Sequence, residues 1–484
     1  MWRRYSGDMM LADLKTWQAA SEQFRNGSAT FIAIWGEVSN TSPFVHLVGR
    51  HKGTASLEMI RLAAPNLHFP SIGEHHPAAI LMERAIFDLH GVIADGLPDP
   101  RPWLDHGVWP QSRTAQPYTF KSVIGEGIHQ IPVGPVHAGT IEPGHFRFSV
   151  NGETIVRLEA RLGYTHKGTL KLMRGASVDH AAELAGRVSG DSTVAYAFAF
   201  ARAVEQALDL VVPQRGSVLR GVMAELERLA NHFGDFGAIC NDGGFPLINA
   251  YGAVLRERVL RLAGACFGHR LMMDRIIPGG IAVDLADGDA ATIISELTSL
   301  LDRFERLVEV YEKTASLQDR TVGAGRLDSA IAGRLGCGGY VGRASAQDFD
   351  TRRDMPYAPY DNLPLSVACL DTGDVDTRLR IRIEEIRQSV ALIRSLLRDL
   401  PSGAFRTPVP DISESRVGSA MVEGFRGDVF AYVRVNGGQV EDAYLRDPSW
   451  FLWPALEVAI EGNIVADFPL CNKSFNASYS GCDL

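Results

Sequence analysis

Apolar residues recur at helical spacing in three long segments of the second half of the chain. Residues 217–236 and 292–311 each place their large apolar side chains on one face of a helix. Between residues 379 and 400 the apolar positions alternate spacings of four and three for three heptads, and Pro401 follows. That spacing is typical of a helix packed in a bundle. We therefore predict a helical bundle from about residue 177 onward.

Strand-like alternation occupies other parts of the chain. Residues 29–51 indicate two strands joined by a polar turn, and residues 78–91 a helix that stops at Gly91. Residues 145–164 predict a hairpin with Asn151 and Gly152 at its turn, and residues 427–441 return to alternation around an Asn-Gly-Gly turn. The predicted fold class is α+β: a small α/β domain over residues 1–115, then a mainly helical bundle with peripheral β-hairpins over residues 116–484.

Composition excludes several classes of function. The net charge of −9 argues against a nucleic-acid surface, which needs concentrated Lys and Arg. No apolar run approaches the roughly 18 residues that span a bilayer, and the amino-terminal segment lacks the apolar core of a signal peptide. The six cysteines are scattered and form no CxxC pair, so neither a disulfide framework nor a zinc or iron–sulfur site is predicted. We expect a soluble protein that docks on a membrane partner.

Three polar clusters carry candidate chemistry, and each has a plainer alternative. The first precedes the predicted hairpin and is either a proton-handling loop or a tight turn with solvated histidines. The second precedes an apolar helical run, where Ser and Asp would ordinarily cap the free amides of the helix. The third is either a buried polar network, a partner interface or a solvated loop. Their residues are His137, Glu142 and His145; Arg187, Ser189, Asp191 and Ser192; and Arg343, Arg352, Arg353, Asp354, Tyr357 and Tyr360. From the residues alone, the chain is a bundle with a polar pocket.

Longer stretches resemble a known family. Residues 83–110, "ERAIFDLHGVIADGLPDPRPWLDHGVWP", resemble the signature of the 30-kDa-type subunit of respiratory complex I. From "GPVHAGTIEPGHFRF" (134–148) onward, the chain resembles the 49-kDa-type subunit and the large subunit of NiFe hydrogenases. Further matching stretches lie at 161–169, 224–233, 278–285, 342–361, 382–390 and 447–475. The arrangement is most similar to the fused large subunits of formate hydrogenlyase and hydrogenase-4 complexes.

The chain departs from the hydrogenase pattern at the metal ligands. The resemblance places one CxxC pair on Ser189 and Ser192 and the other on Ser478 and Gly481, while Cys482 is one residue out of register. Nickel and iron prefer soft thiolate ligands, and a serine hydroxyl stays protonated near neutral pH. The sequence therefore predicts that this chain binds no metal and that a nickel–iron centre is absent. The processed carboxy-terminal extension of hydrogenases is also expected to be absent.

The quinone-reducing pattern of complex I is matched only in part. Its tyrosine position falls on Gly190, and the nearest hydroxyaromatic residue is Tyr196. Its loop histidine has two candidates, His137 and His145, because an insertion makes the match ambiguous. With Asp191, these three residues are the predicted proton-handling, catalytic groups. The pocket beside a partner's iron–sulfur cluster is predicted to be lined by Arg187, Ser189, Ser192, Arg353 and Ser478.

The resemblance implies a subunit of an NADH:quinone oxidoreductase-like or hydrogenase-4-like energy-converting complex. Expected partners are a small iron–sulfur subunit similar to the 20-kDa subunit of complex I, a ferredoxin-like subunit and antiporter-like membrane subunits. The expected acceptor is small and quinone-like, and the expected location is peripheral, on the cytoplasmic side of the cell membrane. One alternative is a non-catalytic scaffold between the hydrophilic and membrane arms. The other, an active NiFe hydrogenase, is disfavoured by the missing thiolates.

Overall fold

The amino-terminal part of the chain forms a four-stranded sheet with two helices. The computed structural model describes residues 9–38, 43–110, 112–113, 118–138 and 141–484. Its first elements are β1 (Met10–Ala12), α1 (Leu14–Arg25), β2 (Ala29–Val38), β3 (Pro43–His51), β4 (Glu58–Ala63), β5 (His68–Pro70), α2 (Ile80–His90) and β6 (Ile93–Asp95). The sheet order is β1-β4-β3-β2, with β1 parallel to β4 and the other pairs antiparallel. The predicted strands and helix are confirmed; the turn after residue 38 and the predicted domain boundary at residue 115 lie outside the described residues.

Local sequence explains where the helices of this part begin and end. The Asp13 side chain accepts a hydrogen bond from the Thr16 amide at the start of α1. Helix α2 ends at Gly91, whose φ of 72° is a left-handed conformation that glycine adopts without strain. A three-stranded sheet follows: β7 (Ile128–Val133), β8 (His145–Asn151) and β9 (Thr154–Arg161). The predicted hairpin is β8–β9, and β7 adds a strand that the sequence pattern did not predict.

Helices dominate the rest of the chain. Helix α6 is its centre and is buried on almost every side, including charged residues such as Arg220, Glu225 and Arg228 that lie outside its apolar stripe. It packs on α7 and α13. The predicted helical segments at 217–236, 292–311 and 379–400 correspond to α6, α8 and α13. The helices are α3 (Thr169–Met173), α4 (Val178–Ala185), α5 (Thr193–Ala207), α6 (Gln214–Asp242), α7 (Pro246–Phe267), α8 (Asp289–Lys313), α9 (Ala315–Thr321), α10 (Ser329–Arg334), α11 (Gly339–Ala344), α12 (Thr351–Asp354) and α13 (Val375–Arg398), with the short strands β10 (Ile276–Ile277) and β11 (Gly280–Ile281) between α7 and α8.

The last part of the chain joins the two halves of the molecule. Strands β12 (Arg416–Gly424), β13 (Gly427–Asn436) and β14 (Gln439–Arg446) form an antiparallel sheet, followed by α14 (Ser449–Ala459), α15 (Phe468–Phe475) and α16 (Tyr479–Asp483). This sheet is less peripheral than predicted, because β13 is buried along nearly its whole length, with α5 packed against it. On its far side Trp35 of β2 stacks on Tyr444 with ring centroids 4.7 Å apart, and Arg434 donates to Glu37 at 2.5 Å.

Helices long and apolar enough to cross a bilayer do not occur among the described residues.

Candidate functional site

The segment before α5 presents two serines and an aspartate, but these side chains do not cap the helix. Residues 190–192 form a single 3₁₀ turn, and the first free amides of α5, those of Val194 and Ala195, donate to the Glu227 carboxylate at 2.7 and 3.1 Å. The capping alternative for Ser189 and Ser192 is therefore wrong, because a carboxylate from α6 fills that role. The serines are left to make contacts elsewhere.

Those contacts join the segment around Ser189 to the segment around Ser478, almost 290 residues later in the sequence. Ser189 Oγ lies 3.1 Å from Ser478 Oγ. Ser478 caps α16, since its Oγ accepts a hydrogen bond from the Gly481 amide at 2.9 Å. The Trp453 indole donates to the Ser478 carbonyl at 3.0 Å. The positions that the resemblance assigns to metal ligands thus lie in one buried cluster, which we call the serine cluster: Ser189, Ser192, Ser478 and Gly481.

An ion pair lies against Ser189 and Ser192 of the serine cluster. Arg426, in the turn between β12 and β13, donates to both carboxylate oxygens of Asp191 at 2.8 and 2.6 Å. The hydroxyls of Ser189 and Ser192 donate to the same carboxylate at 2.8 and 3.2 Å. Burial raises the pKa of Asp191, but the Arg426 guanidinium and the two hydroxyls outweigh it and hold that pKa well below its usual range. Asp191 is therefore an anion at neutral pH.

Tyr196 lies one turn into α5 and is fully buried. Its hydroxyl donates to Asp447 Oδ2 at 2.7 Å. Burial and the Asp447 carboxylate raise the pKa of Tyr196 well above its ordinary value, so the phenol keeps its proton at neutral pH. Asp447 also crowds the serine cluster: a Cβ added at Gly481 would lie 2.6 Å from the Asp447 carboxylate. Sequence reasoning assigned no role to Asp447, although it begins the matching stretch 447–475, or to Arg426, which lies in no matching stretch.

The loop between β7 and β8 covers α16. His137 Nε2 lies 3.2 Å from the Tyr479 hydroxyl, and the His137 ring stacks on Phe146. Burial lowers the pKa of His137, so its imidazole is neutral at pH 7. Glu142 accepts a hydrogen bond from the Ser480 amide at 3.1 Å. His145 instead lies near the Gly134 carbonyl, at 3.3 Å from Nδ1. The structure thus brings His137, and not His145, to the helix that carries Ser478.

The remaining predicted residues make their contacts elsewhere. Arg187 is half-exposed and forms a bidentate pair with Asp274 at 2.6 and 2.8 Å. Arg353 pairs with Asp348 and Asp354. Neither guanidinium contacts the serine cluster, so their role beside a partner's cluster stays a prediction.

The rest of the third polar cluster is a buried ionic network. Arg343 donates to Glu385 at 2.6 Å, and Arg352 donates to Glu225 at 2.9 Å. Both arginine side chains are at most 2% exposed. The buried-network interpretation is thereby confirmed over the solvated loop for these two residues. Such a network holds α6, α11 and α13 in register, since breaking one buried pair leaves an uncompensated charge.

The serine cluster does not fit a nickel–iron centre. Its four positions offer three neutral hydroxyls and a glycine, where soft metals need thiolates. The Arg426 guanidinium, a fixed cation, pairs with Asp191 and also donates to Ser192 Oγ at 3.0 Å, at one of these positions.

A second group of metal-ligand side chains is also occupied by cations. Glu37, His46 and Asp442 place ligand atoms within 4.8 Å of one another. However, Arg434 pairs with Glu37 and Arg174 with Asp442, so both carboxylates are already neutralised. We interpret this group as a set of ion pairs that connects β2 and β3 to the β12–β14 sheet, and we call it the ionic joint.

Fold and site together define a large-subunit-type component of the hydrogenase and complex I class. Two family profiles match the chain: "Respiratory-chain NADH dehydrogenase, 30 Kd subunit" over residues 21–119 and "Respiratory-chain NADH dehydrogenase, 49 Kd subunit" over residues 242–419. Formate hydrogenlyase subunit 5 of Escherichia coli (strain K12) is 30% identical over 461 residues, covering 90% of this chain and 81% of that protein. Hydrogenase-4 component G of the same organism is 30% identical, covering 87% and 76%.

Other relatives extend the class. The carbon monoxide-induced hydrogenase of Rhodospirillum rubrum is 31% identical over 355 residues, covering 73% of this chain and 98% of that protein. A chain from the structure of the membrane-bound sulfane sulfur reductase (MBS), an archaeal respiratory membrane complex, shares the fold with a TM-score of 0.70 at 24% identity, over 75% of this chain and 100% of that one.

The present chain belongs to the family of fused 30-kDa and 49-kDa complex I-type subunits that includes formate hydrogenlyase subunit 5. It is accordingly a subunit of an oxidoreductase complex of this type.

Proposed function

We propose that this chain is the subunit at which electrons from an iron–sulfur cluster of a small neighbouring subunit reach a quinone-like acceptor, and that no nickel–iron centre takes part. The single observation that carries the proposal is the serine cluster. Ser189 Oγ and Ser478 Oγ lie 3.1 Å apart, and Ser189 also donates to Asp191 of the Asp191–Arg426 pair, at positions where the family resemblance places thiolates. The proposed partners, besides the small iron–sulfur subunit, are a ferredoxin-like subunit and antiporter-like membrane subunits. The proposed location is the cytoplasmic face of the membrane, and the proposed overall activity is NADH dehydrogenase (quinone)-like.

The residues of the site are suited to managing protons during such a reaction. Reduction of a quinone to a quinol consumes two electrons and two protons. Tyr196 holds its proton at neutral pH and donates it in a hydrogen bond to the Asp447 carboxylate, so it is the candidate general acid that would give one of these protons to the acceptor. His137 is a neutral imidazole beside Tyr479 and is a second proton donor or acceptor. Asp191 is locked as an anion by Arg426, so its role is to hold the guanidinium in place rather than to move a proton.

A non-catalytic scaffold is the second candidate, and one observation favours it. The polar groups of the serine cluster are paired with one another, and Tyr196 is 0% exposed. A site that has lost its chemistry would also satisfy its own hydrogen bonds, since buried unpaired polar groups are costly.

The experiment compares quinone reduction by the purified complex before and after Tyr196→Phe and His137→Ala. Removing a general acid typically costs about 100-fold or more in kcat. Tyr311→Phe is the matched control, because Tyr311 is also a fully buried phenol that donates to a carboxylate, Asp376, at 2.6 Å in a different part of the bundle. Loss in Tyr196→Phe with normal turnover in Tyr311→Phe supports the catalytic proposal. Normal turnover in both Tyr196→Phe and His137→Ala supports the scaffold.

A further inference from the structure

A large cavity lies between the amino-terminal part of the chain and the β12–β14 sheet, apart from the serine cluster. Its volume is about 660 Å³. One side is formed by β2 and α2, and the other by β14, the start of α14 and the segment that enters α3. The walls are mainly apolar and aromatic: Ile34, Trp35, Met82, Ile86, Tyr444 and Trp450. A cavity of this size is in the range that encloses a whole small molecule.

The charged side chains that line this cavity are almost all cations. They are Arg113, Lys167, Lys171 and Arg174, against the single carboxylate side chain of Asp88. Asp88 Oδ2 accepts the Trp103 and Leu104 amides, each at 2.6 Å, whereas Asp88 Oδ1 is buried without a hydrogen-bond partner among the described residues. The concentration of positive charge contrasts with the whole chain, whose net charge is −9.

Two of these cations have no anionic partner in the described part of the chain. Arg174 pairs with Asp442 at 2.8 Å, and the Lys167 ammonium donates to the Val188 carbonyl at 2.7 Å. For Arg113 and Lys171 there is no ion pair with any described carboxylate, and both side chains are exposed at the opening. The cavity therefore offers an apolar interior and two unpaired cations at its mouth.

One of the two lining histidines, His90, responds to the same charges. Burial, together with the Arg174 and Arg113 guanidinium groups, lowers the pKa of His90 to about 4. His90 is thus neutral at pH 7, and the positive potential in the cavity comes from the lysines and arginines.

We propose that this cavity binds an amphiphilic anion: a hydrocarbon chain against the aromatic and aliphatic walls, with a carboxylate or phosphate held by Arg113 and Lys171. A neutral apolar ligand would fill the interior and leave the cations unused. A small hydrophilic anion would use the cations and leave the apolar interior empty. Only a ligand with both parts matches both features, because apolar burial and charge-assisted hydrogen bonds then act together. This inference does not depend on the proposed electron-transfer function.

The test is a fluorescence titration of the full chain with a dansyl-labelled undecanoate, followed by displacement with palmitate and with the uncharged alcohol hexadecanol. We expect saturable binding that palmitate displaces and hexadecanol displaces at least tenfold less effectively. Lys171→Glu should weaken binding by about tenfold or more, since charge-assisted contacts are the stronger ones. Lys15→Glu is the matched control, because it makes the same charge change on an exposed residue of α1 and should bind as the parent does. Ala85→Trp, which fills the cavity from α2, should abolish binding.

The anion could come from a free fatty acid or from a membrane lipid, and a second arm separates these sources. Displacement by dispersed phosphatidylglycerol, together with co-sedimentation on vesicles that contain it, identifies a lipid. Displacement by palmitate alone identifies a free acid. The proposal is overturned if the probe does not bind saturably, if hexadecanol competes as well as palmitate, or if the folded Lys171→Glu variant binds as tightly as the parent.

Discussion

Replacing Asp191 with Asn tests the ion pair that contacts Ser189 and Ser192 of the serine cluster. The substitution keeps the shape of the side chain and removes its charge, so the Arg426 guanidinium, only 5% exposed, loses its bidentate partner. Removing one partner of a buried pair costs about 3–5 kcal/mol. Because 31% of the Asp191 side chain is exposed, we take the lower end of that range, about 3 kcal/mol.

The expected change in melting temperature follows from the size of the chain. An unfolding entropy of about 2.1 cal/mol/K per residue over 484 residues gives about 1 kcal/mol/K, so Asp191→Asn should lower Tm by about 3 °C at pH 7. If the two halves of the chain unfold in separate transitions, the Tm of the half that contains Asp191 should fall by more than this. Differential scanning calorimetry of the purified chain measures this shift directly.

The stabilisation that Asp191 provides should also depend on pH, in a direction set by its pKa. The folded pKa of Asp191 is depressed below the unfolded value of about 3.9, so its stabilisation is present above pH 4 and is lost as the pH falls further. The difference in Tm between the parent and Asp191→Asn should therefore be largest at pH 7 and smaller at pH 3. An added Arg426→Met substitution should recover part of the loss, because it removes the unpaired charge. Equal Tm values at pH 7, or a difference that grows toward pH 3, would refute the reasoning.

Three further substitutions probe other contacts of the structure. Gly481→Ala should lower Tm by about 1–3 °C, since its methyl group would meet the Asp447 carboxylate at 2.6 Å and overpacking costs about 1–3 kcal/mol. The control Gly190→Ala has open space around it and should leave Tm within about 1 °C. Equal changes in Tm for the two variants would contradict this packing. Burial raises the pKa of Glu227 to about 8, so the parent should lose stability between about pH 4.5 and 8, and Glu227→Gln should lose less over that range in calorimetric scans, whereas an equal loss would contradict this assignment. Glu37→Gln, which uncouples β2 from the β12–β14 sheet, should increase protease cleavage of the amino-terminal part, and unchanged cleavage would count against the ionic joint.

Periodicity predicts the helices well because their burial repeats locally. The segments at 292–311 and 379–400 each carry a single apolar stripe, and both are helices in the structure. Strand β7 was not predicted, because half of its residues are exposed and its apolar positions are too few to indicate a strand. The hairpin predicted at 427–441 is β13–β14, and it is more buried than a peripheral hairpin because alternation reports one buried face, while β13 is covered on both.

The candidate site was predictable only where the family resemblance reached. It placed Ser189 and Ser478 in one cluster, and their hydroxyls do meet. It did not identify Arg426, which reaches Asp191 across 235 residues of sequence, or Asp447, which reaches Tyr196 across 251. Such contacts depend on how sheets and helices pack, and no local pattern of residues encodes them.

The nickel content of the native complex, measured by inductively coupled plasma mass spectrometry after purification without chelators, tests the central claim most directly. The serine cluster offers hydroxyls, a glycine and an ion pair where a nickel–iron centre needs thiolates, so the account predicts nickel far below one atom per chain. One nickel atom per chain, lost on replacing Ser189 and Ser478 with Ala, would contradict it.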